Sequence, residues 1–187
     1  MKLSILLASA VLLATPLAAN ALVYQFNANL SGAKEVPGNA ATGTGVATLF
    51  YNDNNTALTT DDVYSFSMSA FGLSGAASGF HIHAPAPATS NAPVLVNLNA
   101  LPFQSFNPGG FLLVGGSGVA PPNATFLSNL QASLAYVNVH TVAKPFGEIR
   151  GQLMQVAVVP EPSTYALLLA GLGLVGVAAR RRSQAGR

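Results

Sequence analysis

Short runs in which apolar and polar residues alternate constrain this chain more than any other feature. The run "DVYSFSMSAF" (62–71) is typical, with an apolar side chain at every second position. Because successive side chains of a β-strand point to opposite faces, this period of two indicates strands with one buried face. Turn-forming clusters separate the runs. The pattern predicts eight strands, over 22–30, 43–52, 62–73, 78–84, 93–99, 111–120, 135–141 and 147–158.

One interior segment, "NATFLSNLQASL" (123–134), has a different period. Its large apolar residues recur three to four positions apart, which predicts a short amphipathic helix with Asn123 or Thr125 as N-cap. Eight short strands and one helix predict an all-β fold, an antiparallel sandwich or partly closed barrel.

Both ends of the chain have the composition of targeting segments. Residues 1–21 begin with a lone lysine, continue as an apolar run and close on the small residues Ala19 and Ala21. This pattern predicts a secretory signal peptide, cleaved after Ala21. The mature domain is then predicted over 22–158.

The C-terminal segment, 159–187, combines three features. The triplet Pro160, Glu161 and Pro162 precedes an apolar run at 166–179, and a basic cluster follows, formed by Arg180, Arg181 and Arg182. We expect a short transmembrane helix here, although a helix of this length spans only about 21 Å of a hydrocarbon core of about 30 Å. The arginines fit the cytoplasmic side of a membrane.

The composition of the interior excludes several classes of protein. Most basic residues lie in the two ends, so the predicted domain is mildly acidic, which argues against nucleic-acid binding. The chain has no cysteine, which excludes disulfides, a thiolate nucleophile and a Cys-type zinc site.

The three histidines of the chain fall in two of the predicted strands. His81 and His83 alternate in "GFHIH", so both rings share one face of their strand, and they form a pair of ligands suited to Cu or Zn. His140, in "YVNVHT", is the natural third ligand from a neighbouring strand.

Three further residues could support such a site. Asn138 is in phase with His140, and Glu148 and Arg150 share a face of the next strand, from which they could orient a ligand or neutralise charge. The alternative is that the histidines are structural, with their rings satisfied by backbone carbonyls and by Asn138 or Glu148. No nucleophile lies beside these residues, so no catalytic residue is assigned.

Longer motifs carry a family resemblance. The segments "SGAKEVPGNAATGTGVATL", "GFHIHA" with "NAPVLVNL", and "LAYVNVHTVAKPFGEIRGQL" resemble a CHRD domain over about residues 24–155. The resemblance implies an Ig-like or superoxide-dismutase-like β-sandwich without established enzymatic activity. "GFHIH" is also similar to the copper-ligand strand of Cu,Zn superoxide dismutase. An ordinary dismutase needs more histidines and a disulfide, so three histidines and no cysteine exclude it.

The segment from "VPEPST" to the arginines, about 159–182, resembles the PEP-CTERM sorting signal of Gram-negative bacteria. The resemblance implies that the tail is held at the inner membrane until an exosortase cleaves it. The protein would then reach the cell surface or the extracellular space. A plain C-terminal anchor is the alternative.

Two classes of function fit these features. The preferred one is an exported, non-catalytic module with a structural role or a partner such as extracellular polysaccharide or surface proteins. The other is a mononuclear Cu or Zn centre, held by the three histidines and used for metal capture or redox chemistry.

Overall fold

The computed structural model of the chain describes residues 23–54, 56–119, 125–156 and 162–185. The predicted signal peptide with Ala19 and Ala21, the N-cap candidate Asn123, and Pro160 and Glu161 of the sorting triplet lie outside these residues. Pro162 is the first residue of the C-terminal helix.

Ten strands and two α-helices form in the described part of the chain. The strands are β1 (Val23–Ser31), β2 (Thr44–Asn52), β3 (Val63–Phe71), β4 (Ala77–His83), β5 (Val94–Asn97), β6 (Gln104–Phe106), β7 (Phe111–Val119), β8 (Tyr136–Thr141), β9 (Lys144–Gln152) and β10 (Met154–Gln155). The helices are α1 (Phe126–Gln131) and α2 (Pro162–Ala185), and a 3₁₀ turn (Gly32–Lys34) follows β1.

The strands form one curled antiparallel sheet in the order β5-β4-β8-β9-β1-β2-β3-β7-β6, and β10 pairs with β1. Alternate residues of every strand in this order except β6 contribute to a single apolar core. For example, Phe66 of β3, Leu112 of β7 and Val137 of β8 all have at most 2% of their surface exposed. The predicted antiparallel β-sandwich with one short helix is therefore confirmed.

Three local predictions differ from the structure. β6 was not predicted, because its three residues are all exposed and show no alternation of burial. The predicted strand 147–158 begins earlier, since β9 starts at Lys144. It also divides in two, because the chain separates from β8 after Gln152 and then pairs with β1 as the short strand β10. The loop expected around Pro145 is thus part of β9, and the β8–β9 hairpin is tighter.

The two helices differ from expectation in length. α1 covers half of the predicted segment, with Thr125 at its N-cap position. α2 is longer than the predicted apolar run, since it continues through the arginines to Ala185. Among the described residues, no helix is both long and apolar enough to cross a bilayer. This finding does not support the short transmembrane helix predicted at 166–179.

The part of the sheet formed by β4, β8 and β9 buries both of its faces. Its inner face contributes core residues such as Ile82 and Val139. Its outer face is polar, yet Tyr136, Asn138 and Arg150 are almost completely buried there. Two connections cover these polar side chains: the loop 84–93 after β4 and the segment after β1 that contains Glu35. The predicted site residues lie on this covered face.

Candidate metal centre

The three histidines come together on the outer face of the sheet. His81 and His83 project from β4 on the side opposite the core residue Ile82. The neighbouring strand β8 places His140 directly across from Gly79. One nitrogen from each ring can be chosen so that all three atoms lie within 4.8 Å of one another. The predicted pair and its predicted third partner thus form one cluster.

Hydrogen bonds fix the proton positions on two of the rings. Nδ1 of His83 lies 2.9 Å from the carbonyl oxygen of Ala92, and Nδ1 of His140 lies 3.0 Å from that of Pro145. A carbonyl oxygen only accepts, so Nδ1 donates in each ring and Nε2 of the neutral ring keeps its lone pair. Both Nε2 atoms are buried without a hydrogen-bond partner, and so is Nδ1 of His81. Buried polar atoms without partners are rare in folded proteins, and each of the three rings has one.

The surroundings keep the three rings neutral. Burial, together with the neighbouring His140 and His83, lowers the pKa of His81 to about 4. Burial also lowers the pKa of His83 and of His140, against hydrogen bonds to backbone carbonyls that raise each pKa. The charge of Arg150 adds to the lowering of the His83 pKa. All three rings are therefore available as neutral imidazoles, the form that binds metal ions.

The size of the cluster suits one transition-metal ion. Imidazole nitrogens bind Zn²⁺ at about 2.0–2.1 Å, which places tetrahedral ligands about 3.4 Å apart. Starting from a cluster within 4.8 Å, the nitrogens need to approach each other by about 1.4 Å at most. Gly79 leaves room for the rings, because a Cβ built there would lie 3.1 Å from Cε1 of His81 and 3.5 Å from Cδ2 of His140.

Tyr136 of β8 and Arg150 of β9 support His83 from one side. The rings of His83 and Tyr136 stack with centroids 4.8 Å apart and planes inclined by 3°. Cζ of Arg150 lies 3.4 Å from the centroid of the Tyr136 ring. Because β4, β8 and β9 are consecutive in the sheet, the tyrosine ring lies between the imidazole and the guanidinium. This stack restricts the orientation of His83.

The loop 84–93 locks the stack in place. Arg150 donates hydrogen bonds to the carbonyl oxygens of Pro87 and Ser90 and to Oδ1 of Asn91. The N–H group of Ala92, in the same loop, donates to the Tyr136 hydroxyl. The loop therefore orients both the stack and, through the Ala92 carbonyl, the ring of His83 itself.

Asn138 does not bind the histidine rings. It lies across from His81 in the β4–β8 pair, but its side-chain amide donates to both carboxylate oxygens of Glu35, at 3.2 and 3.0 Å. Burial raises the pKa of Glu35 to about 7, against Arg150 and Asn138, which lower it. A carboxyl group whose pKa lies near neutral pH thus contacts Asn138, the residue across from His81.

Glu148 lies apart from the predicted site. Its carboxylate accepts hydrogen bonds from the Ser74 amide at 2.7 Å and the Ser74 hydroxyl at 2.6 Å, and from the Thr141 hydroxyl. These bonds tie β9 to the connection after β3, a structural role. Of the three predicted supporting residues, Arg150 supports the histidine cluster through its contact with Tyr136. Asn138 lies beside His81 but bonds to Glu35. Glu148 supports the cluster in neither way.

Sequence reasoning missed three residues of the site. Tyr136 is in phase with Asn138 and His140 in "YVNVH", so the alternation signal could have placed it on the same face. Gly79, two positions before His81, could have been noticed by the same rule. Glu35 reaches the face from β1's end, and no local pattern in the sequence marks it.

A comparison with family models matches residues 26–153 to the CHRD domain. The chain belongs to the CHRD domain family. A second model, the PEP-CTERM protein-sorting motif, matches residues 158–182, so this CHRD domain precedes a signal for export and exosortase processing. No curated protein and no solved structure matches the chain. Both predicted resemblances are confirmed, and the histidine cluster lies within the CHRD domain.

Proposed function

We propose that this exported CHRD domain binds one Cu or Zn ion through His81, His83 and His140. The observation that carries the proposal is the convergence of three histidine rings, each of which has a buried nitrogen without a hydrogen-bond partner. Imidazole is a common ligand for both metals, and three protein ligands leave a fourth position open for water or another small ligand.

The two carbonyl bonds support the proposal further. Metal-binding histidines usually donate their second ring N–H to a carbonyl or carboxylate, which orients the ring and makes it a better ligand. The bonds from His83 to Ala92 and from His140 to Pro145 have this arrangement. The alternative of purely structural histidines explains these two bonds but leaves three other ring nitrogens buried without partners, Nδ1 of His81 and Nε2 of His83 and His140.

Elemental analysis tests this function directly. Full-length protein is purified without an affinity tag, incubated with Cu or Zn, desalted and analysed by ICP-MS beside a His81→Gln/His83→Gln variant. We expect one metal ion per chain, lost in the double variant. Ser67→Ala, an exposed substitution on β3, is the control and retains the metal.

Two outcomes would overturn the proposal. A wild-type protein that stays metal-free after incubation with both ions would return the histidines to a structural role. Equal metal content in the wild type and the double variant would place any bound metal elsewhere.

A second candidate function rests on the outer face of β2, β3, β6 and β7. These four strands contain no charged residue. Exposed aromatic and aliphatic side chains, including Phe71 and Phe106, alternate there with serines and threonines. A cavity of about 540 Å³ lies on this face beside Val46, Gln104 and Phe106. Aromatic rings beside hydroxyl and amide groups suit an uncharged polysaccharide, which offers both apolar ring faces and hydroxyl groups.

Binding to a soluble neutral glucan, followed by NMR or calorimetry, tests this second function. We expect Phe106→Ser to weaken binding, whereas Phe146→Ser, at a side chain 95% exposed on the β8–β9 hairpin, leaves it unchanged. Equal binding by both variants, or a preference for an anionic polysaccharide such as alginate, would count against it.

The destination of the protein is a further part of the proposal. The sorting motif supports export and processing at the membrane, and we place the mature domain at the cell surface or in the polysaccharide matrix of a Gram-negative bacterium. Replacing Pro160, Glu161 and Pro162 by alanine should retain the unprocessed protein in the membrane fraction. Normal release of that variant would contradict the exosortase route.

A further inference from the structure

The guanidinium of Arg150 places a fixed positive charge beside the histidine cluster. It is almost completely buried and lies 3.4 Å from the Tyr136 ring, whose other face stacks on His83. Its hydrogen bonds go to two carbonyl oxygens and one side-chain amide oxygen, all of them neutral. Arginine stays protonated even when buried, so this charge is permanent.

The ligand set itself carries no charge. The three imidazoles are neutral, and no carboxylate or thiolate joins their cluster among the described residues. Two buried acids lie on neighbouring elements. Glu148 is engaged by Ser74 and Thr141, and Glu35, bound to Asn138, interacts electrostatically with Arg150. Among the described side chains outside the cluster, Arg150 is the one whose charge shifts the pKa of a ligand histidine.

A fixed positive charge beside the site disfavours a divalent ion more than a monovalent one. Three neutral ligands leave the full charge of the ion inside the site, in a partly buried position where charges interact more strongly than in water. Zn²⁺ and Cu²⁺ each bring two charges close to the guanidinium, whereas Cu⁺ brings one. Cu⁺ is also stable with only three nitrogen ligands. The cluster supplies three and no fourth, so its number of ligands suits Cu⁺.

We propose that the centre is a copper site that favours the monovalent ion, and that Arg150 sets this preference through the Tyr136–His83 stack. The inference rests on the proposed metal-binding function. Reduction of the bound ion by an added one-electron donor such as ascorbate, Cu²⁺ + e⁻ → Cu⁺, leaves the three ligands neutral. Arg150 is a positioning residue, since it acts on the ion through another side chain and through its electric field.

Redox titration of the copper-loaded, full-length protein tests this assignment. The fraction of Cu²⁺ is followed by electron paramagnetic resonance at pH 8, where Glu35 is mostly ionised. Arg150→Met removes the charge, and we expect the ratio of Cu⁺ to Cu²⁺ affinity to fall about tenfold, a decrease of about 59 mV in the reduction potential. Glu35→Gln removes the compensating carboxylate and should move the ratio in the opposite direction.

Arg150→Lys separates the charge from the hydrogen bonds to the loop 84–93. Lysine retains the charge and the contact with the ring of Tyr136 but loses the planar fork of donors. We expect Arg150→Lys to keep the potential close to that of the wild type. If Arg150→Met disturbs the loop, Arg150→Lys and Glu35→Gln still test the effect of charge on a folded site.

The outcomes distinguish this inference from the proposed function. If no copper binds to the wild type, the proposed function fails. If copper binds but Arg150→Met and Glu35→Gln leave the potential unchanged, or if both shift it in the same direction, the metal site remains and the role assigned to Arg150 is wrong. A wild-type site that binds Zn²⁺ more tightly than Cu⁺ would also overturn the inference.

Discussion

Replacing His81 by leucine should stabilise the metal-free protein and abolish its response to metal. Nδ1 of His81 is buried without a hydrogen-bond partner, and the neighbouring rings disfavour its protonated form. An unsatisfied buried polar atom costs about 1–3 kcal/mol. Leucine has a similar volume and no polar atom to leave unsatisfied. Because the His81 ring is only half-buried, we expect a value in the lower part of this range, a gain of about 1–2 kcal/mol in the free energy of unfolding.

The order of stability should reverse when metal is added. An ion at one hundred times its dissociation constant stabilises the wild type by about 2.7 kcal/mol, and this gain disappears when a ligand is lost. Urea unfolding is measured at pH 7.5 with EDTA, and then with Cu or Zn. The leucine variant should be the more stable protein with EDTA and the less stable one with metal.

The control for this experiment is Ser67→Leu, which adds an apolar side chain at an exposed position of β3 outside the cluster. Such surface substitutions change stability by about 0.5 kcal/mol or less. It should retain the full metal response. The reasoning is refuted if His81→Leu lowers the stability of the metal-free protein by more than 1 kcal/mol, or if metal stabilises this variant as much as the wild type.

Three further predictions concern pH and two glycines. With EDTA, the lowered pKa of His81, about 4 against 6.5 when unfolded, gives stability that is present above pH 6.5 and lost as the pH falls toward 4. The raised pKa of Glu35, about 7, has the opposite effect, since it adds stability as the pH falls from about 7 to 4.5. Glu35→Gln removes this contribution, so the loss of stability on acidification, measured by thermal unfolding, should become steeper. Gly79→Ala should weaken metal binding at least tenfold by calorimetry, because its Cβ would lie 3.1 Å from the His81 ring; unchanged affinity would contradict the packing argument. Gly147→Ala should cost about 2–4 kcal/mol in urea unfolding, since its φ is +130° and its Cβ would lie 2.6 Å from the Glu35 carboxylate; a loss below 1 kcal/mol would show that the carboxylate moves aside easily.

The fold was predictable where each strand buries one face. In β2 and β3 the burial of side chains alternates along the whole strand, and both strands begin and end within two residues of the predicted bounds. β6 was not predictable, because it buries no side chain and gives no periodic signal. The start of β9 was missed because Pro145 is a turn former by composition, yet it lies in a strand whose pairing register shifts nearby.

The site was predictable only as far as local geometry reaches. Alternation alone places His81 and His83 on one face, since both belong to the same strand. That His140 lies across from Gly79 depends on the register between two strands almost sixty residues apart, and the sequence does not specify this register. The contacts of Arg150 with the loop 84–93 join segments as far apart, and the contact of Glu35 with Asn138 joins segments farther apart still, so both emerge only from the assembled sheet.

The unusual feature of this domain is that the outer face of β4, β8 and β9 is both polar and buried. Burying polar groups costs free energy unless they are paired, and most residues of this face are indeed paired, Arg150 with the loop 84–93 and Asn138 with Glu35. The apolar core on the inner face stabilises the fold independently of that pairing. Five side-chain atoms of this face are nevertheless buried without a hydrogen-bond partner: Oδ1 of Asn138, Oε1 of Gln152 and one nitrogen in each histidine ring. Three of these five atoms belong to adjacent rings suited to metal binding, and such a concentration is what a ligand site requires.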